Sequence, residues 1–529
     1  MKETNQAHEE TNRSESVEPP QTIAAVDLGS NSFRMVIARV VDDQLRLVDR
    51  LREGVRLAAF LDDDQRISPE GRRRALACLR KFGQRVRDLP PGSVRAVGTN
   101  TLRKARNRDA FLLEARHALG HPIEVVPGQE EARLIFLGAA HSLAVRSTAR
   151  RLVVDIGGGS TECIIGEGQD AQRTESLYMG CVSYSLVHFQ DGQISPHRME
   201  QAETAARLEL RAIKKPFRDL GWELAVGCSG TISAIGDILR ENGWSDQGIT
   251  PDGLAKLRHA VVSCEHVDDL KLPGLRNDRA RVLPGGLAIL LVVFEALQVQ
   301  RMLVSSGAMR EGVLYDLLGR LRHEDARDRS IERLVEQYRV DVDQAERVER
   351  TALHALEQVH GDWNLDLPVA HAYLSWAARL HEIGLGVAHT AFHKHGAYLV
   401  ENTLMPGFSF QNQRLLALLV RGQRRKFPRS LFKDLAKPQR KRAIKLCRLL
   451  RLAIVVNRSR SNRQLPQLRM RAKKKRLWLD FPAGWLEEHP LTAADLDQES
   501  AYMSSVGFKL KIGSYRASAS DERTAPEAA

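Results

Sequence analysis

The sequence predicts an α/β protein with two duplicated α/β domains, followed by a helical domain and a small C-terminal α/β domain. Three observations carry this. A strand, a polar glycine turn rich in hydroxyls and a second strand occur twice, around Asp27 and Asp155, 128 positions apart. Strand and helix patterns alternate up to about residue 322, the mark of a sheet flanked by helices. From about His323 the strand signals nearly vanish, and residues 330–458 read as helix after helix. The expected divisions are a disordered leader 1–20, α/β domains 21–147 and 148–322, a helical domain 323–460, a small domain 461–515 and a flexible tail 516–529.

The elements follow in order. Ile23-Ala24-Ala25-Val26 is a short apolar run; Asp27-Leu28-Gly29-Ser30-Asn31-Ser32 is the turn; Phe33 to Val40 returns as the second strand of a hairpin. Helical periodicity covers Pro69 to Val86 and Asp109 to Leu119, with short strands at Val94 to Val97 and Pro122 to Val126. The second hairpin is Leu152-Val153-Val154, Asp155 to Glu162, then Cys163 to Gly166. After it come a helix from Ser195 to Arg218 and strands at Leu224 to Val226 and Met302 to Val304. Apolar residues at three- and four-residue steps mark helices over Val348 to Val359 and Leu415 to Val420. Alternation returns over Leu465 to Phe481 and around Phe508 to Ile512, and the tail after Gly513 reads as loose.

Composition narrows the class. A chain of 529 residues suggests three or four domains, each able to bury a core. The six cysteines are scattered without a C-x-x-C pair, which argues against a disulfide framework or zinc ribbon and for a reducing cytoplasm. The leader is polar and acidic, unlike a signal peptide. The most apolar run, Gly285 to Phe294, is about half a bilayer span, so no transmembrane helix is expected. Net charge is +13, but Arg421 to Arg476 holds 22 Lys and Arg against the one acid Asp434, a local +21 that leaves −8 for the remainder. That segment reads as a surface for a polyanion, with a solvated basic helical face as the equal alternative.

Glycine turns after strands let backbone N–H groups approach an anion, and hydroxyls add donors. Four occur: Gly29-Ser30-Asn31-Ser32, Gly157-Gly158-Gly159-Ser160-Thr161, Gly227-Cys228-Ser229-Gly230-Thr231 and Ser305-Ser306-Gly307-Ala308. Asp27 and Asp155 end their strands and Glu162 follows the second turn. Carboxylates beside bound phosphate suit Mg²⁺, although an aspartate at such a turn also closes an Asx turn. Glu130 and Glu131 open a helix after Pro127-Gly128; one could serve as a general base, but acids in a first turn also favour the helix dipole. Arg103 could fork a phosphate or stay solvated.

Together these segments resemble the exopolyphosphatase / guanosine pentaphosphate phosphohydrolase family, within the superfamily of actin-like ATPases and sugar kinases. The matching segments are Asp27 to Phe33, Gly128 to Arg133, Asp155 to Glu162, Met179 to Val182, Ser229-Gly230-Thr231 and Gly307 to Gly312. The similarity runs from about Gln21 into the C-terminal region, as in the long four-domain form. The resemblance implies actin-like (ribonuclease H-like) folds for the first two domains. It also implies processive hydrolysis of the terminal phosphate of inorganic polyphosphate, with Mg²⁺, stimulation by K⁺ and a homodimer. By motif match Glu131 is the catalytic base, Glu162 the second acid, and Asp155, with Asp27 and Glu162, handles the metal. Gly157, Gly158, Gly159, Ser160 and Thr161 match the phosphate loop, and Arg103 resembles a substrate-contacting arginine. Ser30, Asn31, Ser32, Ser229, Gly230 and Thr231 complete the expected phosphate site.

The triple glycine 157–159 looks more like exopolyphosphatases, so polyphosphate ranks first and guanosine pentaphosphate second. His381-Glu382 resembles a His-Asp phosphohydrolase motif in which Glu replaces the metal-binding Asp, which implies a degenerate domain. Two rivals remain. A sugar- or acetate-kinase activity is disfavoured by Glu131 and the helical extension. A nucleic-acid-binding role is disfavoured because few aromatics (Phe427, Phe432) interleave the basic segment. Contact of that segment with an anionic membrane face stays open.

Overall fold

The computed structural model describes residues 22–41, 44–142, 149–305, 307–322, 324–461 and 465–516. The leader, Ser306 and the tail beyond 516 lie outside the described residues. The chain divides into two compact units, Met1–Ala326 and Arg327–Ala529.

Two five-stranded sheets of one topology build the first unit. β1 (Thr22–Leu28), β2 (Phe33–Val41), β3 (Gln44–Glu53), β4 (Val94–Gly98) and β5 (Ile123–Val125) lie in the order β3-β2-β1-β4-β5. β6 (Arg151–Ile156), β7 (Thr161–Glu167), β8 (Asp170–Leu177), β9 (Leu224–Gly227) and β10 (Met302–Val304) lie in the order β8-β7-β6-β9-β10. In each sheet the first three strands form an antiparallel meander, and the last two run parallel to the first. The two hairpins read from sequence therefore open two copies of a whole sheet. β1 and β6 are buried almost throughout, as central strands covered on both faces must be. β3 and β8 are edge strands rich in charge, β3 largely exposed and β8 mostly half-buried, and the sequence reading passes over both.

The helices Pro69–Val86 and Arg108–Leu119 stand where the periodicity puts them. Ser68 caps the first by accepting from Gly71 N, with Pro69 at the first helical position. Two other helices are exchanged between the sheets. The helix Gly128–Ser142 follows β5 in sequence but packs on β6, β7 and β8; the helix Met309–Leu321 follows β10 but packs on β1, β2 and β4. They cross in close contact: a Cβ on Gly312 would lie 1.7 Å from Leu134 O, and one on Gly138 2.0 Å from Ala308 O. Neither position tolerates a side chain. The crossing completes a core that joins Val36 and Val97 of one sheet to Val153 and Ile164 of the other. It also brings the first turn of the 128–142 helix, with Glu131, to the place where both sheets' turns converge.

In the second unit seven main helices (Ala326–Gln337, Val342–Trp363, Leu367–Arg379, Phe392–Asn402, Phe410–Gly422, Lys437–Val456, Pro490–Ser504) pack with a three-stranded sheet. That sheet is β11 (Arg469–Lys473), β12 (Arg476–Pro482) and β13 (Lys509–Tyr515), in chain order, with β12 and β13 parallel. One core runs from Ile331 through Trp376, Leu416 and Leu450 to Leu479 and Leu510. Residues 461–515 thus share their interior with the helices. β13 extends two residues past Gly513, where the sequence reading starts the loose tail, because Tyr515 still pairs with Pro482.

The basic segment is only partly a surface. Arg451 is fully buried and forks Glu499 at 2.5 and 2.6 Å, while buried Arg448 lies between the rings of Trp363 and Phe508, 5.0 and 4.8 Å from their centres. Phe427 and Phe432 are also buried, so neither offers a face for base stacking. Among the described residues no helix is long and apolar enough to cross a membrane, and the apolar run 285–294 lies inside the buried helix Leu283–Leu297. All six cysteines are unpaired.

Candidate active site

Asp27 and Asp155 occupy equivalent places, each near the C-terminal end of the first strand of its sheet. The turns that follow, 29–32 and 157–160, line one cleft of about 120 Å³. Each turn is held from behind through its carbonyls. Arg56 N donates to Asn31 O (2.8 Å) and Ala58 N to Ser30 O (3.0 Å). In the second copy Cys181 N donates to Gly157 O (2.9 Å), while Val182 N and Ser183 N donate to Gly158 O (2.9 and 3.0 Å). Gly180, just before these donors, must be glycine: a Cβ there would lie 2.4 Å from Gly159 N. The two turns approach one another closely, since a Cβ on Gly158 would meet Ser30 Cβ at 3.2 Å.

Of the residues predicted from sequence, the cleft brings together Asp27, Ser30, Asn31, Ser32, Glu131, Asp155, Gly157, Gly158, Ser160, Ser229, Gly230 and Thr231. Arg103, Gly159, Thr161 and Glu162 stand behind that lining. Arg103 Nη1 donates to Glu131 Oε2 at 2.5 Å and to Val126 O at 3.2 Å, so one arm of its guanidinium holds the glutamate. Thr161 donates to Met179 O (2.7 Å). Glu162 is buried opposite Asp155 in the β6–β7 register and accepts from Ser176 Oγ (2.9 Å). Ser229 caps the helix Gly230–Glu241 by accepting from Ile232 N (3.0 Å). In the fourth glycine turn, a Cβ on Gly307 would meet Ser142 Cβ at 2.3 Å, so this glycine serves the helix crossing. Among the described residues of that turn Ala308 reaches the cleft, followed by Met309 and Arg310.

The sequence reading missed Arg34, Asn100, Arg279 and Arg310, all of which line the cleft. Arg34 was within reach: it lies two residues beyond Ser32, hence on the same strand face, and its Nε donates to Ser32 Oγ (3.2 Å). Arg310 lies in the matched segment 307–312. Arg279 sits in the single helical turn Asn277–Ala280, which no sequence pattern marks, and packs against Gly230.

The carboxylates are set for a cation. Burial pushes Asp155 up to about 7, assisted by the negative charge of Glu131, and pushes Asp27 up to about 6 against the opposing pull of Arg34. Burial, with Glu131 and Asp155 beside it, also raises Glu162 well above the usual range. Asp27 Oδ1 is buried with no hydrogen-bond partner among the described residues. Hard, desolvated oxygens of one sign, one of them orphaned, fit a divalent cation. No group of three or more His, Cys, Asp or Glu gathers at one point among the described residues. A cation here would therefore keep water and substrate oxygens as most of its ligands, the habit of Mg²⁺.

This has a sign that can be measured. Between the ordinary aspartate range and about 7, folded Asp155 binds a proton that the unfolded chain does not, so this group stabilises the fold as pH falls and costs stability as pH rises through that window. Asp155→Asn, measured in EDTA, is expected to melt above the wild type at pH 8, by at most a few kcal/mol at about 1.4 kcal/mol per pKa unit. The difference should close toward pH 4. A variant melting below wild type at pH 8 in EDTA would contradict the electrostatic account.

Two sheets of one topology, with paired turns and acidic strand ends facing one cleft, define the actin-like class of phosphoryl-transfer proteins. The chain belongs to the Ppx/GppA phosphatase family: that family's model matches residues 36–321, and the model of Ppx/GppA phosphatase domain III matches residues 326–500. It is therefore a hydrolase of phosphoanhydride bonds. It is 40% identical over 489 residues to a guanosine-5'-triphosphate,3'-diphosphate pyrophosphatase of Aeromonas hydrophila, spanning 92% of this chain and 98% of that one; the Aeromonas salmonicida counterpart is 39% identical over the same length. An exopolyphosphatase from Cytophaga hutchinsonii shares the fold at 22% identity, TM-score 0.50, over 56% of this chain and 98% of its own. An exopolyphosphatase-like protein does so at 24% identity and TM-score 0.52, over 58% and 100%.

Proposed function

We propose that this chain is a guanosine pentaphosphate 5'-phosphohydrolase, removing the terminal phosphate of the 5'-triphosphate arm. The observation that carries this reading is the near full-length similarity to the two Aeromonas pyrophosphatases. It reverses the order that the triple glycine suggested. Gly159 itself stands behind the cleft lining, so a methyl there would act on substrate only through the cleft residue Asn100, whose Nδ2 it would meet at 3.0 Å.

The chemistry follows from the cleft. Glu131, held by Arg103, accepts the proton of the attacking water. The turns 29–32 and 157–160, with Arg34 and Arg310, orient the phosphate oxygens. Asp27 and Asp155 would hold Mg²⁺, with Glu162 behind them; bound there, the ion offsets charge that builds on the phosphoryl oxygens. Work of this kind is mainly positioning and electrostatic stabilisation, as is usual in phosphoryl transfer. The deciding experiment measures phosphate release from guanosine pentaphosphate and from long polyphosphate side by side, with and without Mg²⁺ and K⁺. A higher kcat/KM on the pentaphosphate is expected, and release from polyphosphate alone would overturn the reading.

Polyphosphate remains a second substrate reading, favoured by the exposed basic hairpin of β11 and β12, where Lys473, Lys474, Lys475 and Arg476 are all exposed. If long chains use it, neutralising these four residues lowers kcat/KM on long polyphosphate more than on the pentaphosphate. The gap should shrink as salt rises. An equal effect on both substrates would remove the hairpin from substrate binding.

A further inference from the structure

The second unit contains a cluster that the reaction above does not use. His381 is buried, and its Nδ1 donates to Ala378 O (2.7 Å), which leaves Nε2 as a lone-pair acceptor. That Nε2 lies 4.0 Å from Glu382 Oε1, which accepts from Arg460 Nη2 at 2.5 Å. His381 Nε2, Glu382 Oε2 and His393 Nδ1 are all buried, and none has a hydrogen-bond partner among the described residues. Above them lies the turn 422–425, which brings Arg424 over the ring of Phe392 at 4.8 Å.

The turn is built rigidly for a surface loop. Buried Arg451 donates to Gly422 O (2.7 Å) and Arg425 O (2.6 Å) while Glu499 holds its other side, Gln423 Nε2 donates to His381 O, and Arg425 takes a left-handed backbone, φ 62°. A buried ion pair is thus used to fix an arginine-bearing turn beside these unpartnered atoms. The field there is strongly positive: burial, then Arg421, Arg424, Arg425 and Lys394, push His393 down to about 4.

We propose that this cluster is a second binding site, for a phosphate ester that also carries a hydroxyl, as a ribose phosphate does. Phosphate oxygens accept from Arg424 and its neighbouring cations, and ribose hydroxyls donate one to Glu382 Oε2 and another to His381 Nε2. A bare phosphate fits worse, since it sets oxygen anions against the Glu382 carboxylate. The site is independent of the reaction proposed for the first unit, because binding is read without turnover.

The test uses the full chain carrying Glu131→Gln and calorimetric titration with guanosine diphosphate, ribose 5-phosphate and inorganic phosphate. Adding Arg424→Gln is expected to abolish or weaken by roughly tenfold to a hundredfold one class of guanosine diphosphate site, the range for losing hydrogen bonds to a charged group. It should leave any other class, and the melting temperature, in place, since Arg424 is partly exposed. Ribose 5-phosphate should bind this site more tightly than inorganic phosphate, and Glu382→Gln should narrow that preference. Unchanged titrations in the Arg424 variant, or equal affinity for ribose 5-phosphate and inorganic phosphate in the Glu131→Gln protein, would overturn the proposal. If the first unit binds no guanosine diphosphate, a single class sensitive to Arg424 still supports it.

Discussion

Glu131→Gln is expected to lower kcat for phosphate release by about 10²–10⁴-fold, the usual contribution of a positioned general base. Gln keeps the shape and can still accept from Arg103, which donates to Oε2 at 2.5 Å in the wild type, so the cleft should stay assembled. KM should therefore change little, and substrate binding should persist under conditions where turnover is lost. Loss confined to kcat identifies an interaction made in the transition state. Steady-state and single-turnover phosphate release both read it. A variant that folds and releases phosphate within about threefold of wild type would remove Glu131 from the role of base.

The second large effect concerns stability. Asp316→Ala should destabilise the first unit by about 3–5 kcal/mol, the cost of breaking a buried ion pair from one side. Asp316 Oδ2 accepts from Arg95 Nη1 (2.6 Å) and Arg320 Nε (2.8 Å), and Oδ1 accepts from Arg133 Nη2. Burial opposes this charge, but the three guanidiniums hold its carboxyl well below the usual carboxylate range. Arg133 in turn donates to both oxygens of Glu130, at 2.7 and 2.9 Å, one residue before Glu131. The network thus ties the exchanged helices and β4 together at the turn that carries the candidate base. Thermal melts should show a fall of roughly 5–15 °C above pH 5, since a depressed acid contributes fully above its unfolded pKa. Toward pH 2 the difference should shrink, because below the ordinary aspartate range the unfolded chain takes up a proton that the folded chain does not. A melt unchanged at pH 7 would mean that Glu124 and Glu130 alone satisfy these arginines.

Glu130 and Glu131 also show where sequence reasoning reached its limit. Both are acids in a first helical turn, and residue by residue they are equivalent. In the fold Glu130 turns to Arg133 and the buried network, whereas Glu131 lines the cleft. Spacing could not separate them, because the network around Glu130 is completed by Arg95 and, through Arg133, by Asp316, while the cleft that Glu131 faces is built in part from a second sheet. Arg103 shows the same limit: a cation near a phosphate turn reads as a ligand for substrate, and only the fold reveals that its Nη1 also holds Glu131.

The sequence by itself determined the two hairpins, most of the strands and helices around them, and the turns that face the cleft. These rest on local rules, periodicity and glycine turns after strands. The edge strands β3 and β8 escaped it because charged and polar residues along them blur alternation. Only the tertiary structure decided that the helices 128–142 and 309–321 exchange sheets, that Arg448 and Arg451 of the basic segment belong to a core, and that Arg279 reaches the cleft. The physical reason is common to all three. A backbone turn is set by its own few residues, whereas burial, charge pairing and close helix contact depend on groups that the chain brings together from far apart.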